Sequence, residues 1–546
     1  MFLFFNIFFW GCGDESSGPS KVTNGVDGTN GVDGVDGSNG TNGANGITTI
    51  FDSQEEPPGA NCETGGTAIT YGLDLNANGI LDIGEAVSVF YLCNGVNGET
   101  PEAPVNYWGG SDESPFTYEG DLSFSHFGEM LAFCASYVAI DGDLTISSTL
   151  LTHTEDLKCL EAISGDIYVE NNSRLESLRL ENLHILGGGI NVSNNAILDT
   201  ILFDTLEHTN TSIHIQNHEL LSSIQMPNLE FIGFDFLQDG DLILQNNPSL
   251  LDLGMEQLQV IQNDLQIDTT GLVDISNLNM LTHVGDNFVL SNNSALQTLS
   301  SLTSLERVGQ DMLIFDNPSL LNVDGLSGYQ FVGGTLEIQN NTQLLSVNVP
   351  SLSYIGSTNG MTVSNNPLVQ AIVMSSLHTT YGDIRFEYND ALSVINMSTT
   401  EELHNLYISN NIQLTGIDLS MLNDIKEIYI SGNEALVALD FPALDIATKI
   451  DITNNILLET VDLSNLTTLR RQISVTEHPA LTSFTMTSLS SLEHQNWFGE
   501  YYYIISFVNN PQLVVDQTFF SDVILSSLGN TCEAFGYTCT NYSGNL

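Results

Sequence analysis

From about residue 140 to residue 525 one arrangement of apolar and polar positions recurs. Each unit has a β-branched residue or Leu, any residue, two turn residues (often Asn-Asn), then a Leu two or three positions later. Well-kept copies read VENNSRL (169–175), LQNNPSL (244–250), IQNNTQL (338–344), ISNNIQL (408–414) and ITNNILL (452–458). Looser copies read IQNHELL (215–221), ISGNEAL (430–436) and VTEHPAL (475–481). The second turn residue falls at 172, 195, 218, 247, 270, 293, 317, 341, 366, 389, 411, 433, 455, 478 and 510. Steps of 22 to 25 residues separate these positions, except for one step of 29 and one of 32. An earlier, weaker copy ends near Ser148.

A period this regular over so many copies predicts a solenoid. Inside each copy the apolar residues alternate as in a strand, so that Leu336 and Ile338 point one way and Glu337 the other. One coil alone cannot bury its apolar side, and stacking buries it between neighbours. The expected fold is all-β, a parallel solenoid of about 15 coils over residues 121–546 with capped ends. At about 4.8 Å per coil the stack is a rod of roughly 70 Å. Asn at the same corner of successive coils is expected to form side-chain ladders that satisfy turn backbone groups.

Composition narrows the function. Ten Lys and Arg against 67 Asp and Glu give a net charge of −57, which repels phosphate backbones and anionic membranes. Cations are the natural small partners. Apolar residues make up 42% and charged residues 14%, which suits a β-rich, turn-rich chain. Cys12 lies in an N-terminal leader, and the other six cysteines fall in close sequence pairs: Cys62 with Cys93, Cys134 with Cys159, Cys532 with Cys539. One modified Cys and three disulfides in an exported protein account for all seven, with connectivity left open by sequence.

Residues 2–10 (FLFFNIFFW) are too short to span a bilayer and fit the apolar core of an export signal. The run ends in Gly11-Cys12. This resembles a bacterial lipoprotein signal, which implies lipidation of Cys12 and a membrane-anchored place in the bacterial envelope, facing the periplasm or the cell surface. Residues 13–58 form a stalk in which Gly occupies every third position from Gly25 to Gly46. Such spacing permits a collagen-like trimer, but the absence of Pro and the repeated Asp favour a disordered acidic tether.

Residues 59–96 form a small module, followed by a linker over 97–120. Within the module, Asp74, Asn76, Asn78, Asp82 and Glu85 fall at positions 1, 3, 5, 9 and 12 of an EF-hand calcium loop, with Gly79 at position 6 and Ile80 offering its carbonyl. The flanks alternate as strands (Val87, Val89, Tyr91), and Cys62 and Cys93 bracket the loop. The segment is similar to disulfide-closed modules of bacterial surface lipoproteins, and the expected calcium is structural.

The stretch Ile140-Asp141-Gly142-Asp143-Leu144-Thr145-Ile146, Leu157, Leu160, Ile163-Ser164-Gly165-Asp166-Ile167-Tyr168-Val169 and Asn171-Asn172 resembles the receptor L-domain of insulin- and EGF-type receptors. The resemblance implies a right-handed β-helix with a binding face. A leucine-rich-repeat solenoid is the alternative fold. The chain departs from those receptors in having no Cys-rich region between lobes and no kinase, so their signalling role does not carry over.

No G-x-S-x-G elbow, P-loop or HExxH motif occurs. The nine basic residues of the repeats (Lys158, Arg174, Arg179, Arg307, Arg385, Lys426, Lys449, Arg470, Arg471) read as scattered. Arg470 and Arg471 are expected to face opposite ways, and His214 and His218 to be ordinary surface residues. The two long steps carry aromatic inserts, and Phe234, Phe236, Trp497, Phe498, Tyr501 and Tyr502 are candidate ligand-binding residues. The expectation is a non-catalytic recognition or adhesion protein for an extracellular protein or glycan. The alternatives are a polysaccharide-active enzyme and a structural envelope component.

Overall fold

The computed structural model describes residues 48–57, 66–74, 86–93, 116–234, 239–356, 359–492 and 504–513. The chain divides into two compact units, Met1–Gly98 and Glu99–Leu546. In the first, strands β1 (Thr48–Glu56), β2 (Gly66–Asp74) and β3 (Ala86–Cys93) form an antiparallel meander in the order β1-β2-β3.

The second unit is the parallel solenoid, and almost all of its regular structure is strand. It begins slightly earlier than residue 121, with β4 (Thr117–Glu119) and β5 (Leu122–Ser123) pairing onto the next coil. A short helix, α1 (Phe127–Cys134), follows. The Glu129 carboxylate accepts the Ser125 N–H at 2.7 Å and the His126 N–H at 3.3 Å, which fixes the start of the helix. Met130 and Phe133 enter the core and close its end, and a disulfide joins Cys134 to Cys159 as the sequence pairing suggested.

Turn geometry counts the coils. Ser148, Asn171, Asn194 and their equivalents as far as Asn509 have φ between 54° and 64°, and Gly432 takes that place in the ISGNEAL copy with φ 67°. Together they mark sixteen turns rather than fifteen, because the weak copy at Ser148 is a full member. Asn tolerates the left-handed conformation better than other side-chain-bearing residues, so the first residue of each pair is chosen for its backbone.

The second residue is chosen for hydrogen bonding. Asn341 is sealed from solvent. Its Oδ1 accepts the Asn317 N–H at 3.1 Å, its Nδ2 donates to the Ile314 carbonyl at 2.9 Å, and its own N–H donates to Asn366 Oδ1 at 2.9 Å. The same contacts repeat from coil to coil, so the expected ladder forms. His218 and His478 complete it in two copies. His218 Nδ1 accepts the Asn195 N–H at 3.2 Å while Nε2 lies 3.2 Å from the Val192 carbonyl, the two roles an Asn amide would fill. His218 is therefore a buried ladder member and not a surface residue.

A second ladder of opposite sense runs at the other end of the strands. Asp143 Oδ1 accepts the Asp166 N–H at 2.8 Å, Asp166 Oδ1 the Gly189 N–H at 2.6 Å, and Asp264 Oδ1 the Asn287 N–H at 2.8 Å. Nearby, the Val-Gly pairs have a packing reason. A Cβ on Gly309 would sit 1.8 Å from the Gly285 carbonyl, and one on Gly333 1.7 Å from that of Gly309.

The later coils differ. In most coils a short strand (Phe331–Val332) turns a corner before the main strand (Leu336–Gln339). Three residues separate Val332 from Leu336, but only two separate Leu403 from Leu406. With the corner shortened, Glu402–Ser409, Asp424–Ser431 and Ile446–Thr453 run as single long strands, and Thr468–Thr476 does so with one extra residue taken up as a bulge. Four broad rungs thus lie side by side.

Candidate recognition face

The main strands bury alternate residues, so their remaining side chains form outward rows running along the stack. Parallel register fixes which residues share a row. One row reads Asp383, Asn405, Glu427, Lys449, Gln472; the next reads Arg385, Tyr407, Tyr429, Asp451, Ser474. His404 and Lys426 stand beside the first row, on neighbouring rungs.

Arg385 lies over Tyr407, with its guanidinium carbon 3.7 Å from the ring centroid, and donates to Asp383 at 2.5 Å. Tyr407 and Tyr429 stack with centroids 4.7 Å apart and planes 3° from parallel. Lys449 Nζ sits 4.3 Å from the Tyr429 ring and 3.2 Å from its hydroxyl. That hydroxyl donates to Glu427. Burial, and then the Glu427 carboxylate, push the Tyr429 phenol pKa up. The result is one pile of cation, two rings and cation, in which each ring meets the other ring and one cation.

The cations that sequence spacing left scattered are therefore gathered. Five of the nine (Arg385, Lys426, Lys449, Arg470, Arg471) stand on neighbouring coils of this face. Arg470 and Arg471 also depart from the expected alternation. Leu469 pairs with Ala447 and Gln472 with Lys449, so two arginines oppose the single Thr448. This β-bulge turns both of them to solvent.

On the same face, one step toward the N-terminus, lies a groove of about 320 Å³ lined by Asp311, Leu313, Thr335, Glu337, Asn359, Thr362, Asp383 and Arg385. Its floor is the outward row of four successive rungs. Burial, and then the neighbouring Asp311 charge, raise the Glu337 pKa. Asp383 links groove and strip, because it also meets His404 Nδ1 at 3.2 Å and accepts from Asn405 Nδ2 at 2.7 Å.

The sequence-derived sites have mixed outcomes. Phe234 is 44% exposed, and its ring packs 5.0 Å from His208 and 5.8 Å from Phe231, so it covers the side of the solenoid. His214 lies 3.7 Å from Asp241. Phe236, Trp497, Phe498, Tyr501 and Tyr502 lie outside the described residues, as do Cys12, Cys62, Cys532 and Cys539. Asp74 ends β2 and Cys93 ends β3, while Asn76, Asn78, Ile80, Asp82 and Glu85 fall in the undescribed connection between those strands. Among the described residues no group of three His, Cys, Asp or Glu could hold a metal ion, and no helix is long and apolar enough to cross a membrane.

Residues 49–93 match a family described as a domain of unknown function (DUF7151). The match covers the antiparallel meander and the calcium-loop pattern. No curated protein matches the chain by sequence. Among solved structures, the chain is similar to TLR13, a leucine-rich-repeat protein, in the crystal structure of a TLR13–ssRNA13 complex. That likeness has 12% identity and a TM-score of 0.17, and covers 71% of this chain and 76% of the other.

Proposed function

We propose that this chain is a non-catalytic recognition or adhesion protein of a bacterial cell envelope, held by a lipid on Cys12 and a Gly-rich tether. The observation that carries this reading is the outward face from Asp311 to Arg471. There a groove and a strip built around the mutually packed Arg385, Tyr407, Tyr429 and Lys449 form one continuous polar surface on the sheet. Ligand contacts on pre-ordered side chains lose little conformational entropy.

The small module is proposed to bind calcium as a brace. Because β2 and β3 are adjacent antiparallel strands, with Gly72 paired to Ala86, the end of β2 and the start of β3, which flank the calcium-loop pattern, lie at one end of the sheet. Asp74, Asn76, Asn78, Asp82 and Glu85 would supply side-chain oxygens and Ile80 its carbonyl, the hard donor set calcium prefers.

The test is a glycan and protein binding array probed with the full chain, with and without calcium, alongside an assay for new reducing ends. Saturable binding without product supports the recognition reading. Release of reducing ends would replace it with a polysaccharide-active enzyme, and no saturable ligand would favour a structural envelope component.

A further inference from the structure

We propose that the strip from Asp383 to Arg471 takes an acidic polysaccharide, a glycan chain bearing carboxylates; this deepens the recognition reading and rests on it. The outward positions gain cations along the stack. From Asp143 to Glu337 the two rows that run on to Asp383 and Arg385 carry six carboxylates (Asp143, Asp166, Asp241, Asp264, Asp311, Glu337) and no Lys or Arg. The five strands Asp383–Glu387, Glu402–Ser409, Asp424–Ser431, Ile446–Thr453 and Thr468–Thr476 carry five cations and six carboxylates (Asp383, Glu387, Glu402, Asp424, Glu427, Asp451), so the local balance is 5 − 6 = −1, close to neutral in a chain of −57.

The strip is built to present these charges. Arg385 and Lys449 are fixed by the tyrosine pile, while Lys426, Arg470 and Arg471 are exposed at the edge of the broad rungs. Lys426 lies two coils from the arginine pair, about 10 Å along the stack. Such sparse positive charge is poorly matched to duplex DNA, which carries a charge about every 1.7 Å. It suits a polymer whose charges are separated by whole sugars. The adjoining groove offers Glu337, Asn359 and Thr362 as hydrogen-bonding partners for sugar hydroxyls.

Salt gives the proposal a distinctive signature. The field of the whole chain repels an anionic glycan over long distances, and salt screens it with a Debye length of about 8 Å at 0.15 M. The strip's own cations act at contact. Binding should therefore strengthen from about 10 mM to about 0.15 M salt and weaken again toward about 1 M.

The experiment uses the full chain and polygalacturonate in titration calorimetry at 0.15 M NaCl, with dextran and duplex DNA as comparison polymers. Polygalacturonate should bind, and dextran and DNA should not. The triple variant Lys426→Gln, Arg470→Gln, Arg471→Gln should bind at least about tenfold more weakly with an unchanged circular dichroism spectrum, while Arg174→Gln should bind as the parent does. No polygalacturonate binding, equal binding of DNA, or an unaffected triple variant overturns the proposal. Binding of dextran alone overturns the acidic-glycan assignment and leaves the recognition reading standing. Reducing ends released from bound polygalacturonate refute the non-catalytic reading and leave the ligand class in place.

Discussion

Replacing Asn341 by Ala tests how the solenoid is held at its corner. The substitution removes an acceptor from the Asn317 N–H and a donor from the Ile314 carbonyl, bonds of 3.1 Å and 2.9 Å at a site with no solvent access. A buried polar group left without a partner costs about 1–3 kcal/mol. Two such groups predict a loss of about 2–6 kcal/mol. A 16-coil stack is not assured of two-state unfolding, so the measurement is local: hydrogen exchange by mass spectrometry across residues 312–345, supported by urea midpoints. Exchange at the Asn317 amide should accelerate by at least about thirtyfold, equivalent to about 2 kcal/mol. Asn341→His is the control, because His218 and His478 already provide the same acceptor and donor in their copies. It should retain more than half of what Ala loses. If Ala leaves exchange unchanged, or if His is no better than Ala, the ladder is not what closes the corner.

Further outcomes follow from single groups. Tyr329 stands fully buried where most other coils place Leu, and its hydroxyl has no hydrogen-bond partner among the described residues, so Tyr329→Phe should be neutral or raise stability by about 1 kcal/mol in urea unfolding. Burial, and then the Arg307 charge, depress the His283 pKa to about 4. Its unfolded value is about 6.5, so its contribution is fully present above pH 6.5, is lost as pH falls toward 4, and totals about 3 kcal/mol. The urea midpoint of the parent should therefore fall relative to that of His283→Leu from pH 7 to pH 4.5; an unchanged difference would refute the assignment. Opening the Cys134–Cys159 bridge with Cys134→Ser should cost about 3 kcal/mol and speed hydrogen exchange in residues 117–147 while sparing residues past 300. Calcium should raise the melting temperature of the parent chain but not of Asp74→Asn/Glu85→Gln, and an equal response in both would remove the calcium proposal.

The period was legible because its two turn residues are constrained for different reasons, one by backbone conformation and one by buried hydrogen bonds. That is why substitutions to His or Gly still leave a recognisable copy, and why Ser148 proved to be one more. The candidate face was much harder to read. Arg385, Lys426, Lys449 and Arg471 look dispersed when counted along the chain, yet they meet because coils of 22 or 23 residues bring them onto neighbouring rungs. Aligning the sequence by coil would have found them. The exposure of both Arg470 and Arg471 depends on a single-residue bulge, and strict alternation cannot reveal that. Phe234 packs beside His208 and Phe231 and is still 44% exposed, because an aromatic residue in an insert can cover its own coil and present an outer face at once.

The Asn ladder refers each coil only to the one beside it. Deleting Asn293–Asp316 would join Asn292 to Asn317 and leave every remaining turn with the neighbour it needs. The molecule can be lengthened or shortened by whole units without redesigning its interior, each unit changing its span by about 4.8 Å. Its reach is a gauge with fixed graduations, and gene duplication or loss of one repeat is the smallest move along the scale.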